Sequence, residues 1–276
     1  MSTLYLVATP IGNREDMSPR GSRILSEVDI VYAEDTRHSR QLLFAFGIEA
    51  ELRSLHQHNE KVRVTEVIDL LDAGKNIALV SDAGMPLISD PGSLLVASIQ
   101  KSEHSVVPIP GPSAVIAAVA GSGLSTQPFS FFGFLPDKKG KRENYISSLT
   151  NLAHTLVFFV AIHDLQKYLK EIEGIFPIQT LCVARELTKL HEQFYSGTAS
   201  ELSEMIESRQ LVLKGEAVLL IDNTQAESGD SESINKSEII KAFANELPSS
   251  KLAKIIAKLT GENRQDVYAE IEELKK

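Results

Sequence analysis

The length, composition and charge of the chain exclude several classes of protein. Its 276 residues exceed the usual size of one domain, so two globular domains with a smaller addition are expected. Apolar residues make up 43% of the chain, yet no apolar run approaches the length that spans a bilayer. The net charge of −9 argues against a protein that coats nucleic acid through bulk electrostatics, so any contact with RNA must be local.

The N-terminus and the cysteine content indicate a reducing compartment. The first residues, MSTLYLVATPIGN, lack the basic region, apolar stretch and small-residue cleavage site of a signal peptide. The single cysteine, Cys182 in TLCVARE, cannot form an internal disulfide and is expected on a buried strand. We therefore expect a cytoplasmic protein that makes no contact with a membrane.

The first part of the chain alternates between strand-like and helix-like segments. Apolar, β-rich runs predict strands at residues 4–9, 29–34, 76–82 and 105–110. Between them, Ser18 and Pro19 are typical of a helix start and Gly74 of a helix end. Strands that alternate with helices predict a largely parallel sheet covered on both faces. The sequence thus predicts an N-terminal α/β domain over residues 1–122.

The segment GSGLSTQP marks a boundary, after which the alternation resumes. Strands are predicted at residues 129–135, 155–162, 180–187, 192–197 and 216–222. Helical spacing lies between several of these runs, which predicts a second α/β domain over residues 123–224.

The last part of the chain predicts a linker and a helical tail. Residues 225–237 are polar and poor in apolar side chains, as flexible linkers are. Residues 238–276 have helical spacing throughout, with Ser249 or Ser250 at the start of one helix and Gly261 at its end. We expect a small helix-turn-helix-like appendage.

Ligands of an open α/β sheet bind beyond the C-terminal ends of its strands. The loops that follow the predicted strands of the first domain are TPIGN (9–13), EDTRHSR (34–40), SDAGMPLISDPG (81–92) and PGPSA (110–114). Their Gly, Pro and small polar residues let the backbone approach a ligand closely. Dinucleotide binding requires Gly-x-Gly-x-x-Gly and Walker-type phosphate binding requires Gly-x-x-x-x-Gly-Lys, and neither pattern is present.

Two clusters of charged or titratable residues lie outside these loops. His56 and His58 in LHQHNE have no further ligands at metal-binding spacing, so no metal site is predicted. The other cluster lies in PDKKGKRE, which is predicted as a loop, and consists of Lys138, Lys139, Lys141 and Arg142. A solvated charge run and a local contact with RNA phosphates both agree with this composition.

Between residues 4 and 222 the chain resembles the tetrapyrrole methylase superfamily. The similar segments, in chain order, are YLVATPIGN, YAEDTRHSRQLL, LHQHNE, SDAGMPLISDPG, IPGPSA, SGL, FFGFLP, ARELTKLHE and KGEAVLLI. Within the superfamily, the chain is most similar to the members that methylate the 2′-oxygen of a cytidine in 16S ribosomal RNA. The helical tail resembles the C-terminal module of those members.

This resemblance implies a fold, a cofactor and partners. The implied fold has two α/β domains of the tetrapyrrole methylase type and a small C-terminal helical appendage. It binds S-adenosylmethionine between the two domains, forms a homodimer and acts on the 16S rRNA of the small ribosomal subunit. By match to the family motifs, the cofactor-binding residues are Pro10, Asp82, Gly84, Met85, Ile88, Ser89, Gly111, Ser113, Ala184 and Ala217.

Transfer of a sulfonium methyl group to a ribose hydroxyl places two demands on the protein. The methyl group is already activated, so the acceptor oxygen must chiefly be held in line with it. The hydroxyl is a weak nucleophile, so a nearby group should orient it or accept its proton. The candidates at predicted strand ends are Glu34, Asp35, Arg37 and Glu186. Arg185 and Lys189 are predicted to contact RNA together with the basic residues at 138–142.

The chain departs from the usual family pattern at two places. Where members of the family carry Glu, then Pro-His, then Arg after a strand, this chain reads FFVAIHDL. His163 is kept, while Val160, Ile162 and Asp164 replace the other three residues. Met85 replaces a usual Thr near the expected cofactor. The changes indicate either the joint loss of an ion pair or altered contacts with the substrate.

Three interpretations of function therefore stay open. The first is an rRNA ribose methyltransferase. The second keeps the fold and cofactor but methylates a tetrapyrrole carbon, although a small macrocycle requires neither the basic cluster nor the helical tail. The third is a ribosome-binding protein that has lost turnover through the changes at 160–164.

Overall fold

The computed structural model describes residues 2–226, 240, 243, 247–260 and 263–274. The chain divides into two compact units, Met1–Thr224 and Gln225–Lys276. Both predicted α/β domains fall within the first unit, and the boundary expected near residue 122 stays a prediction.

The first sheet of this unit is entirely parallel. Its strands are β1 (Thr3–Val7), β2 (Ile30–Ala33), β3 (Glu51–Ser54), β4 (Ile77–Val80) and β5 (Ser105–Ile109). They lie in the order β3-β2-β4-β1-β5, and every neighbouring pair is parallel. The predicted parallel sheet is confirmed. The edge strand β3 was not predicted, because the sequence ELRS is polar and lacks the apolar alternation of a half-buried strand.

Helices cover both faces of the first sheet. They are α1 (Pro19–Glu27), α2 (Thr36–Ala45), α3 (Glu60–Asp72), α4 (Ser93–Ile99) and α5 (Ala114–Gly121). Leu79 belongs to the hydrophobic core on one face, and its neighbours Ala78 and Val80 belong to the core on the other. The predicted start of α1 is confirmed: Ser18 accepts a hydrogen bond from the backbone N–H of Gly21 at 2.9 Å.

The second sheet is mixed. Its strands are β6 (Phe129–Phe134), β7 (Thr155–Ala161), β8 (Leu181–Arg185), β9 (Gln193–Gly197) and β10 (Glu216–Asp222). They lie in the order β6-β7-β10-β8-β9, and the pair β6 and β7 is parallel. The last strand, β10, inserts between β7 and β8 and runs antiparallel to both. Strands β8 and β9 form an antiparallel pair because the short connection between them reverses the chain.

The helices of the second half of this unit are α6 (Lys139–Ser147), α7 (Leu165–Glu173) and α8 (Ala199–Glu207). Because α6 begins at Lys139, most of the basic segment predicted as a loop is instead the first turn of a helix. None of the helices in the described ranges of either unit has the length and apolar character needed to cross a membrane.

The second unit contains the helices α9 (Ser249–Thr260) and α10 (Arg264–Leu274). Its core consists of the buried side chains Ile240, Leu252, Ala253, Ile256, Val267 and Ile271. The predicted helical tail and the start of a helix at Ser249 are thus confirmed. The expected helix end at Gly261 and most of the expected linker, residues 227–237, lie outside the described residues.

Candidate active site

A cleft of about 490 Å³ lies where loops of the first sheet meet the strands of the second. This volume is in the range of ligand pockets. The loops after β1, β4 and β5 contribute Ile11, Asp82, Ala83, Gly84, Met85, Ile88, Ser89, Asp90, Ser113, Ala114 and Val115. The second half of the unit contributes Phe134, Phe159, Val160, Ala161, Ile162, His163, Ala184, Leu187, Gly215, Glu216, Ala217 and Val218. Since β4, β1 and β5 are neighbours in a parallel sheet, the loops that follow them emerge at the same edge.

Hydrogen bonds tie the loop after β4 to the loop after β1. Thr9 and Gly84 exchange two backbone hydrogen bonds, with N···O distances of 2.9 and 3.0 Å. The buried hydroxyl of Thr9 donates to the carbonyl of Ser81 at 3.1 Å. The Ser81 hydroxyl in turn donates to the carbonyl of Gly84 at 3.1 Å. The start of the motif SDAGMPLISDPG is therefore held rigidly at the wall of the cleft.

The opposite wall is braced by an ion network around Lys189. The ammonium of Lys189 lies 2.9 Å from a Glu186 oxygen and 2.8 Å from a Glu216 oxygen, and Glu186 also accepts the backbone N–H of Glu216 at 2.9 Å. Burial by itself would raise the pKa of the Glu186 carboxyl, but the hydrogen bonds from Lys189 and the backbone lower it below its ordinary value. Glu186 has a positive φ of 52°, an unusual conformation for a residue other than glycine. This network makes Glu186 a brace beside the cleft, and Glu186 is not among the lining residues.

Eight of the ten expected cofactor-binding residues line the cleft. They are Asp82, Gly84, Met85, Ile88, Ser89, Ser113, Ala184 and Ala217. The other two, Pro10 and Gly111, lie outside the lining. Pro10 is buried directly before Ile11. A Cβ atom at Gly111 would come within 2.8 Å of the Ala8 Cβ, so this glycine allows the loop after β5 to pack against the end of β1.

The candidates at the end of β2 lie outside the cleft lining. The Asp35 carboxylate caps α2 by accepting the Arg37 backbone N–H at 2.8 Å, and it forms an ion pair of 2.9 Å with the Arg37 guanidinium. These contacts hold the pKa of Asp35 well below its usual range. Glu34 lies beside Asp82, and burial followed by the charge of Asp82 raises the pKa of Glu34. The structure thus places Asp35 and Arg37 in a helix cap, while Glu34 is exposed and lies outside the cleft lining.

Asp90 is a titratable residue of the cleft that the sequence analysis did not single out. Its carboxyl lines the cleft, and burial together with the nearby charges of Glu34 and Asp82 raises its pKa to about 6. The signal available in the sequence was the second Ser-Asp pair of SDAGMPLISDPG, which repeats the pair at the end of β4.

Two of the expected RNA-binding arginines are buried, and the structure corrects those expectations. The Arg142 side chain is 1% exposed, and its guanidinium forms a bidentate ion pair of 2.6 and 2.7 Å with Glu171. Arg185 is buried and donates to the carbonyl of Lys214 at 2.7 Å. Both guanidinium groups satisfy carbonyl or carboxylate groups of the protein itself, so they are not available to phosphates.

The lysines that were predicted to contact RNA differ in exposure and in ion pairing. Lys138, Lys139 and Lys141 are exposed around the first turn of α6, and Lys139 makes a long ion pair of 3.6 Å with Glu143. They lie near Lys167 and Lys170 of α7, since Lys139, Lys167 and Lys170 line one surface hollow. Lys189, by contrast, is engaged by two carboxylates.

The segment that departs from the family pattern forms part of the cleft wall. Val160, Ile162 and His163 line the cleft next to Phe159. Asp164 points to other partners: its carboxylate pairs with Lys167 at 2.9 Å and accepts the Tyr168 hydroxyl at 3.3 Å. An apolar wall thus stands where the family pattern has an acid, and Met85 also faces the cleft.

Potential metal ligands are scattered through the described residues. Within those ranges, no group of three or more His, Cys, Asp or Glu side chains is placed to hold a metal ion. His56 and His58 make an edge contact with each other, with ring centroids 6.0 Å apart.

Solved structures of several methyltransferases share this fold. A cobalt precorrin-4 methyltransferase superimposes with a TM-score of 0.58 at 18% identity, covering 79% of this chain and 94% of that chain. The uroporphyrin-III C-methyltransferase from Thermus thermophilus superimposes with a TM-score of 0.55 at 18% identity, covering 85% and 99%. At this level of identity the likeness establishes the fold alone.

Sequence comparisons establish the family. The model of the family described as Tetrapyrrole (Corrin/Porphyrin) Methylases matches residues 3–203. A protein from Xylella fastidiosa (strain Temecula1) is 44% identical over 268 residues, which cover 96% of this chain and 97% of that protein. A protein from Pseudomonas aeruginosa is 41% identical over 269 residues, covering 96% and 95%. Both relatives are named ribosomal RNA small subunit methyltransferase I. The chain therefore belongs to the tetrapyrrole methylase family.

Proposed function

We propose that this chain is an S-adenosylmethionine-dependent methyltransferase that methylates the ribose 2′-oxygen of a cytidine in 16S rRNA. The observation that carries this proposal is the cleft, in which eight of the ten residues assigned to the methyl donor come together from distant parts of the chain. The relatives named ribosomal RNA small subunit methyltransferase I support the small-subunit rRNA as substrate. The choice of a cytidine 2′-oxygen rests on the motifs given above.

The cleft fits S-adenosylmethionine in size and chemistry. Small residues such as Gly84, Ala184 and Ala217 leave room for a folded nucleoside, and the apolar side chains at its wall suit an adenine ring. The first turn of α5 faces the cleft with Ala114 and Val115, whose N–H groups precede the first intrahelical hydrogen bond and are open to an acceptor. A uroporphyrin-III C-methyltransferase of the same fold has been crystallised with S-adenosylhomocysteine, at 16% identity and a TM-score of 0.54. When bound, S-adenosylmethionine supplies a methyl group activated by its positive sulfur.

The residues of the chain then position the acceptor and keep water away. Val160 and Ile162, both buried, form an apolar wall that strengthens electrostatic interactions inside the cleft by excluding water. The hydrogen-bonded loop after β4 and the Lys189 network are rigid supports on the two sides, and they allow the acceptor oxygen to be held in line with the methyl carbon.

The RNA-binding surface that we propose contains fewer of the predicted residues than the sequence indicated. Lys138, Lys139 and Lys141 are exposed and can approach phosphates, whereas Arg142 and Arg185 are buried. The positive charges of Lys167 and Lys170 lie near Lys139 and extend the surface. We assign binding of the 16S rRNA in the small ribosomal subunit to these lysines.

We also propose that the protein is a cytoplasmic homodimer. The resemblance to dimeric family members supports the dimer, and the buried, unpaired Cys182 together with a ribosomal substrate supports the cytoplasm. Sedimentation equilibrium of the purified protein tests the dimer, because a mass of one chain at micromolar concentration would contradict it.

Methyl transfer to small ribosomal subunits tests the proposed reaction. Subunits from cells that lack this class of modification are incubated with labelled S-adenosylmethionine and the protein, and the rRNA is digested to nucleosides. Label in 2′-O-methylcytidine is the expected result. Label in a tetrapyrrole such as uroporphyrinogen III, with none in RNA, would favour the second candidate function. Binding of the donor without transfer to either acceptor would support a protein that has lost turnover.

A further inference from the structure

Two phenylalanines of the described residues line the cleft, and they differ in exposure. Phe159, on β7, is half-buried, whereas Phe134, at the end of β6, is 61% exposed. A single exposed apolar side chain needs no explanation by itself. The significance of Phe134 therefore depends on how β6 presents the ring and on what surrounds it.

An extra residue in β6 turns Phe134 into the cleft. Phe131 pairs with Val157 and Phe134 pairs with Phe159, so three steps along β6 match two steps along β7. The side chains of a regular strand alternate between its two faces, which would place Phe134 on the same face as Phe132. The bulge instead places Phe134 on the face of Phe131 and Phe159, which is the face toward the cleft. Bulges of this kind redirect side chains beside active sites.

The residue that permits the bulge is Gly133, whose φ of 68° is favourable for glycine. A Cβ atom here would lie 3.3 Å from the Ser89 hydroxyl oxygen, so glycine also lets β6 approach the loop after β4. The centroid of the Phe134 ring lies 5.4 Å from that of Phe159, which lies 4.8 Å from that of Phe131. Such distances are typical of favourable aromatic contacts. The Phe134 ring is thus supported by aromatic neighbours, while more than half of its surface stays open.

The charges of the cleft favour an uncharged group beside Phe134. In the described part of the lining, the carboxylates are those of Asp82, Asp90 and Glu216, and no lysine or arginine is present there. Like charges repel, so this lining disfavours the entry of a phosphate. The parts of an RNA strand that can enter are the base and the ribose of a nucleotide. A nucleobase has a flat face that stacks on aromatic side chains.

The lysine surface proposed to bind phosphates begins close to Phe134 along the chain. Lys138 and Lys139 are exposed where α6 begins. The four residues from Phe134 to Lys138 span at most about 14 Å when fully extended. An RNA strand whose phosphates contact these lysines therefore has a base within reach of the Phe134 ring.

We propose that Phe134 is the side chain on which the base of the methylated nucleotide stacks. This inference rests on the proposed function. The ring binds the flat face of the base at the cleft mouth, and this contact orients the attached ribose so that its 2′-oxygen faces the methyl group. Every base has such a face, so the contact fixes the position of the nucleotide rather than its identity. Phe134 takes no part in the bonds that form and break.

Aromatic and aliphatic replacements of Phe134 test this role. We compare kcat/KM for methyl transfer to unmethylated small subunits in the wild type, Phe134→Leu and Phe134→Tyr. Leucine keeps the apolar character but has no aromatic face, so kcat/KM should fall by roughly 5–150-fold, the factor that corresponds to a stacking loss of about 1–3 kcal/mol. Tyrosine restores the aromatic face, so Phe134→Tyr should stay within about threefold of the wild type.

Phe129→Leu is the matched control. Phe129 is an exposed aromatic residue at the start of the same strand, and it lies outside the cleft lining. Its kcat/KM should stay within about twofold of the wild type, because the substitution removes no contact with the substrate. The Kd for S-adenosylmethionine, measured by calorimetry, should stay within about threefold in every variant, since the stacked base belongs to the acceptor.

Each contrary outcome has a distinct meaning. A kcat/KM of Phe134→Leu within about threefold of the wild type, or an equal loss in Phe134→Tyr, would overturn the inference. A matching rise in the Kd for S-adenosylmethionine would place Phe134 against the donor and would overturn it as well. So would a lower mass of Phe134→Leu in sedimentation equilibrium, which would place the ring in a contact between subunits. The absence of transfer by the wild type would refute the proposed function itself, and the inference with it.

Discussion

Arg142 and Lys141 are adjacent basic residues of α6 that have opposite environments. The Arg142 guanidinium donates to both oxygens of Glu171 and to the carbonyls of Pro136 and Asp137, at distances of 2.6 to 2.8 Å. It also lies over the Tyr168 ring, 4.7 Å from the centroid. The adjacent Lys141 is exposed. The segment KKGKRE thus contains an arginine that is paired in the interior and a lysine that faces solvent. Only their contacts in the folded protein distinguish the two.

Removal of one partner of this buried pair should destabilise the protein strongly. Arg142→Ala leaves the Glu171 carboxylate buried without a partner, which lowers the free energy of unfolding by about 3–5 kcal/mol. Urea denaturation followed by circular dichroism measures the loss. The matched variant Lys141→Ala, at an exposed position, should change the same free energy by less than about 0.5 kcal/mol. Equal effects of the two variants would show that Arg142 is not held in the interior.

At the scale of elements, the turn before β10 packs against the Lys189 network beside the cleft. Gly215 has a φ of 96°, and a Cβ atom at this position would overlap the carboxylate of Glu186. The same turn contributes Glu216 to the Lys189 network and begins the strand that carries Ala217 to the cleft. The backbone conformation of Gly215 therefore affects both the Lys189 network and the cleft wall.

Gly215→Ala should disturb both the Lys189 network and the cleft. The substitution strains the backbone and pushes Glu186 away from Lys189, so we expect a loss of about 1–3 kcal/mol in the free energy of unfolding. The Kd for S-adenosylmethionine should rise at least about tenfold, as for a loss of 1.4 kcal/mol in binding free energy. Calorimetric titration gives the Kd. Gly140→Ala is the control, because a Cβ atom at Gly140, in α6, would meet no other atom within 4 Å. Normal donor binding by Gly215→Ala would contradict this account.

At the scale of the whole molecule, the division into two units predicts which properties depend on which part. The first unit closes with Asn223, whose buried amide donates to the carbonyls of Leu149, Thr150 and Leu152 at 2.8 to 3.3 Å. The second unit has a hydrophobic core of its own. Each unit thus has the internal contacts of an independent structure.

A chain cut after Thr224 should therefore fold and bind the methyl donor. We expect its Kd for S-adenosylmethionine to stay within about twofold of the full chain, because every lining residue of the cleft is retained. Its affinity for small ribosomal subunits, measured by filter binding, should fall, since we expect the helical tail to serve a large RNA substrate rather than the small donor. A cut after Asp222 removes Asn223 and should lower the melting temperature in addition. If the chain cut after Thr224 failed to bind the donor, the cleft would depend on residues after 224.

Local patterns account for what the sequence predicts correctly. Four of the five strands of the first sheet, the cap at Ser18 and the helix start at Ser249 follow from periodicity and from hydrogen bonds between near neighbours in the chain. The position of the cleft at the C-terminal ends of parallel strands also follows from local order, once alternation of strands and helices is recognised. The family motifs add a cofactor to that position, and eight of their ten residues line the cleft.

The features that were missed depend on contacts between distant residues. Arg142 is buried because Glu171 lies opposite it, 29 positions along the chain, and Asp90 lies among carboxylates because two strand ends meet. The order of the second sheet, with β10 inserted between β7 and β8, is likewise a matter of long-range pairing. By itself the sequence determined most of the strands and helices and the edge of the sheet where a ligand binds, since these are set by neighbours along the chain. Only the tertiary structure decided which charges are buried and which carboxylates face the cleft, because burial and charge–charge interactions depend on distances in space.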